Sequence, residues 1–73
     1  MRDPQRIDEM LQLLRQIWIR EPDLRLGQLV FNAARIRDPE IADVYSVEDA
    51  VLQKGLRRYL ERIQDRSSGE EGY

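Results

Sequence analysis

Few residues in this chain have side chains suited to chemistry. Glu48 and Asp49 are adjacent carboxylates, and carboxylate oxygens are ligands for hard divalent cations. Neighbouring residues on a helix do not share a face, however, and acids gather at helix N-termini for electrostatic reasons alone. Ser46, just before them, fits an N-cap. The chain has no histidine and no cysteine. That removes the usual zinc ligands, the common neutral-pH acid–base group and the thiol nucleophile. Ser67 and Ser68 lie in a polar C-terminal stretch. The pattern predicts a non-enzymatic protein with no catalytic residue, no metal ligand, no cofactor and no small-molecule substrate.

A second chemistry is electrostatic. Lys54, Arg57, Arg58 and Arg62 cluster in the last helical segment, where they could contact phosphates. Glu61 and Asp65 stand among them, and pairs such as Arg57/Glu61 and Arg62/Asp65 have the spacing to hold charge internally. Twelve cations face fourteen anions, for a net charge of −2. A general nucleic-acid binder normally has a basic excess. The stretch 36–46 is also much longer than the turn of about 3–4 residues in a helix-turn-helix. A small DNA-binding regulator using these four residues therefore remains the alternative reading.

The elements that position these groups follow from periodicity. Asp3-Pro4 places a capping carboxylate before a proline whose fixed φ suits the first helical turn. Ile7, Met10, Leu11, Leu14, Ile17 and Trp18 then recur at three- and four-residue spacing, which predicts an amphipathic helix over about 4–20. Pro22 ends it. Asp23 is the expected cap of a second helix over about 24–35, with Leu26, Leu29, Val30 and Ala33 inward. Asp38-Pro39 opens an irregular acidic connector, 36–46, with a single helical turn expected through Ile41 and Val44. Ser46 is the expected start of a third helix over 47–64, carrying Leu52, Leu56, Tyr59, Leu60 and Ile63 inward. Residues 65–73 are too polar to bury themselves and read as a disordered tail. The fold class is all-α, a compact three-helix domain over 1–64.

Three helices need one buried face each, and the chain has apolar residues to spare. Leu13 and Ile19 lie outside the main stripe of the first helix. In the second, Gly27, Phe31 and Ala34 share an adjoining face, where the glycine would admit a close backbone. These five residues are the candidate protein-binding surface, for a homodimer or a foreign protein partner. Trp18, the only tryptophan, fits either a core or an interface anchor.

Several of these segments resemble a family of small uncharacterised bacterial proteins. The residues that carry the likeness are Arg2-Asp3-Pro4, Arg6-Ile7, Trp18, the string Pro22-Asp23-Leu24-Arg25-Leu26-Gly27-Gln28-Leu29, Asn32, Tyr45 and Glu48-Asp49. It spans about two-thirds of the chain and stops where the third helix begins. In that family the second Asp-Pro lies close to the tyrosine, whereas here Glu40 to Val44 intervene. The resemblance implies a shared fold and supplies no catalytic residues. With no apolar leader at Met1-Arg2-Asp3-Pro4 and no run long enough to span a bilayer, the expected setting is the cytoplasm, away from membranes.

Overall fold

Asp3 and Pro4 start the first helix as their side chains dictate. The computed structural model describes residues 3–71, with side chains through Asp65. Three helices make up its regular structure: α1 (Gln5–Arg20), α2 (Leu26–Arg37) and α3 (Asp49–Glu71). Asp3 Oδ1 accepts from the Gln5 amide at 2.9 Å, and the Asp3 carbonyl accepts from Arg6. Two amides of the first turn, which have no partner within the helix, are thereby satisfied.

At its far end α1 closes on itself, with the Glu21 amide donating to Ile17. Pro22 then forces the chain away. Here the structure departs from the expected cap. Asp23 lies in a turn closed by the Leu24 amide on Glu21, and α2 begins at Leu26. A helix from Leu24 would have to run through Arg25, whose backbone is extended, and the Leu24 carbonyl is turned to another donor. In a helix starting at Leu24 that oxygen would accept from the Gln28 amide, but it accepts instead from the Trp18 indole at 2.8 Å. The first helical bond therefore runs from Leu29 to the Arg25 carbonyl. Arg25 has extended backbone, and its amide donates to Gln28 Oε1 at 2.9 Å. This is the returning half of a capping box; the other half needs an acceptor, which a guanidinium lacks.

α2 runs two residues beyond the expected Arg35, to Arg37. Basic residues in a last turn complement the helix dipole, and Arg35 and Arg37 both lie there. The connector forms no helical turn through Ile41 and Val44. It is pinned by Ile41 to the Asp38 carbonyl and Val47 to the Val44 carbonyl, and by Tyr45 to the Asp43 side chain. Because Ser46 is used up in the second of these turns, α3 starts two residues after the expected position, with Leu52 bonded to the Glu48 carbonyl. α3 also continues past Gln64 to Glu71. Propagating an existing helix is far cheaper than nucleating one, so it runs on beyond Ile63, the last buried residue among the described side chains. Of the expected 65–73 tail, residues 72–73 lie outside the described residues.

α3 is the central element. It packs along both α1 and α2, which hardly touch each other. The core is Ile17 from α1, Leu29 and Ala33 from α2, and Leu56, Leu60 and Ile63 from α3. Met10, Leu13, Leu14, Leu24, Leu52 and Tyr59 pack around it. Where α2 crosses α3, Gly55 lies so close to Ala33 that a Cβ would collide with the Ala33 carbonyl. No helix is long and apolar enough to cross a membrane among the described residues.

Candidate functional site

The apolar arc of α1 is wider than one neighbour can cover. Ile17 is fully buried, and Met10, Leu13 and Leu14 pack beside it against the core. One edge of the same arc, Ile7, Leu11 and Trp18, is left without a partner because α2 does not close over it. This edge continues through Ile19 and Pro22 to the first residue of α2. Leu11, Leu14, Arg15, Trp18, Ile19, Pro22 and Leu26 enclose an open groove of about 620 Å³. Leu11 is 57% exposed, Ile19 59%, Leu26 45% and Trp18 37%. Arg15 supplies the one charge in the lining. The bond from the Trp18 indole to the Leu24 carbonyl holds the ring in place, so one wall of the groove is ordered before anything binds.

The five residues expected to form a binding surface do not come together as one. Leu13 packs against the core and Ala34 is fully buried. Gly27 is exposed, and a Cβ built on it meets nothing within 4 Å, so the close backbone approach expected there falls at Gly55 instead. Phe31 is half-buried beneath the Arg35 guanidinium, 5.8 Å from the ring centre. Ile19 alone of the five lines the groove. Of the other lining residues, Leu11, Leu14 and Leu26 read in sequence as inward, and Trp18 as either a core residue or an interface anchor. The signal for them was the width of the α1 arc, which exceeds what a three-helix core consumes.

The basic residues of α3 are spread over different surroundings. Arg57 reaches across to Glu9 on α1 at 3.7 Å, and Arg58 reaches Glu61 one turn on at 3.7 Å. Arg62 lines a second recess of about 590 Å³ with Asn32, Arg35, Ile36, Pro39, Tyr59 and Ile63. Arg35 is engaged there by the Pro39 carbonyl. Lys54 is exposed. Among the described residues, two of the four cations thus face carboxylates, which offsets the positive field a phosphate backbone would meet.

Asp49 takes the Arg6 guanidinium at 2.9 Å and so ties the start of α1 to the start of α3. Glu9, on the next turn of α1, accepts from Gln53 at 2.7 Å. Among the described residues, no three or more acidic, histidine or cysteine side chains come together as a possible metal site. In the connector, Tyr45 stands 95% exposed beside Val44, a second apolar point on the surface.

No family model, curated protein or solved structure matches the chain. The surface itself must therefore carry the functional reading.

Proposed function

We propose that this chain is a non-catalytic protein-interaction module that docks through the apolar face of α1 and the start of α2. The observation that carries the reading is the continuous exposure of Leu11, Trp18, Ile19 and Leu26 around one groove. Single apolar residues on a surface need no explanation, but a contiguous group with an ordered tryptophan has the make-up of an interface centre. The groove is lined mostly by carbon, with one guanidinium at its rim, so it offers shape and desolvation rather than reactive groups. Such a face binds another protein's apolar side chains.

The test is affinity capture from cells of the source organism, using immobilised wild type and an Ile19→Glu/Leu26→Glu variant whose helicity is first checked by circular dichroism. Both substitutions are at exposed positions and leave the core intact. Proteins held by wild type, further copies of this chain included, should be lost from the variant. Equal retention by both would remove this face as the docking site.

A further inference from the structure

The unpartnered edge of α1 has a regular spacing. Ile7, Leu11, Leu14 and Trp18 follow one another at four, three and four residues, the a/d repeat of a helix-pairing seam. Ile7 is 49% exposed and Leu11 57%, while Leu14 lines the groove from its inner side. On one flank of the seam, Met10 and Ile17 are turned into the chain's own core. On the other flank stand Asp8 and Arg15, both exposed, and neither has an ion-pair partner among the described residues.

We infer that the occupant of this face is a second copy of the chain, with the two α1 helices packed antiparallel about a two-fold axis. This rests on the reading of the α1 face as a docking surface and names its partner. In an antiparallel pair each a residue shares a layer with a d residue of the opposite helix. The register that uses all four seam residues places Ile7 against Trp18 and Leu11 against Leu14, each contact occurring twice. Ile7 of one copy then enters the groove of Trp18, Ile19 and Leu26 on the other.

The flanking charges select that register. With the layers so matched, Asp8 of one copy lies opposite Arg15 of the other, twice by symmetry. A shift of one heptad in either direction leaves two seam residues unpaired or half-paired. It also brings Asp8 against Asp8, or Arg15 against Arg15. A parallel pairing sets Arg15 against the Met10 and Ile17 flank, which is turned into the core and carries no charge. Only the full-overlap antiparallel arrangement is complementary in both shape and sign, as an isologous interface requires.

Sedimentation equilibrium over a range of concentrations tests this, using wild type, Asp8→Arg, Arg15→Asp, the double swap Asp8→Arg/Arg15→Asp, and Leu11→Glu. Wild type should be a reversible dimer, with Trp18 emission shifting to the blue as concentration rises. Each single swap creates two like-charge contacts and should weaken association about tenfold, while the double swap returns it to within about threefold of wild type. Leu11→Glu should be monomeric, with its helical circular dichroism intact. A double swap no tighter than its parents would overturn the antiparallel register. A wild type monomeric at the highest accessible concentration would overturn self-association. In that second case, a foreign protein held by wild type and lost from Ile19→Glu/Leu26→Glu would leave the interaction reading standing.

Discussion

At Gly55 the α3 backbone rests against the carbonyl of Ala33, whereas the space around Gly27 is open. A methyl group added at the two positions should therefore act in opposite directions. Gly55→Ala must push α2 and α3 apart, and overpacking of this kind costs about 1–3 kcal/mol. Gly27→Ala meets no neighbour and removes backbone freedom from the unfolded chain, a gain of about 0.5–1 kcal/mol. Urea unfolding of the two variants beside wild type checks both signs. In sequence the two glycines look alike, since each lies within a helical pattern. What separates them is which pair of helices crosses closely, a tertiary fact that spacing along one helix does not contain. The same limit explains Ala34, which shares a helical face with Gly27 in sequence yet is fully buried.

At the scale of the element, helix ends show how local chemistry is overruled. Asp3-Pro4 was legible because its bonds are made within the first turn. Asp23 and Ser46 are good capping residues by type, yet each falls in a turn that comes before its helix. In the first case the Leu24 carbonyl is engaged by the Trp18 indole, six residues away. Trp18→Phe keeps most of the ring's volume and deletes that bond. It should lower stability by about 0.5–1.5 kcal/mol and free the carbonyl for the Gln28 amide, so the start of α2 moves toward Leu24. Backbone chemical shifts of residues 23–28 would record the change, and unchanged shifts would show that Pro22 alone sets the boundary. The α1 groove was hidden for a related reason. Its residues were visible as apolar, but nothing in the periodicity says how much of a wide arc a neighbour will cover.

For the whole molecule, stability should concentrate on α3, since it alone packs extensively against both other helices. Leu56 is fully buried at the centre of the core. Leu56→Ala should cost about 2–5 kcal/mol, a large part of what a chain of this length has at roughly 0.05–0.15 kcal/mol per residue. A thermal melt by circular dichroism should show the variant largely unfolded near the wild-type midpoint, and a small change would mean that the site collapses around the loss. The all-α class and the identity of most core residues could be read from the 3.6-residue period, because burial of one stripe is a local demand. The arrangement in which α1 and α2 each lean on α3 could not, because it depends on the path of a connector whose turns are set by Asp38, Asp43 and Val44.

That arrangement also has a consequence in time. α1 is held to the rest mainly along one side, by its contacts with α3 and the side-chain ties from Arg6 and Glu9. Its amides should therefore exchange with solvent sooner than those at the α2–α3 crossing, as regions with fewer packed contacts do. Anything that closes over α1 must then slow this exchange. Hydrogen exchange measured along the chain at two protein concentrations would separate the two contributions. Amides of α1 that become slower as the protein is concentrated would show that the least anchored helix is the one that association secures.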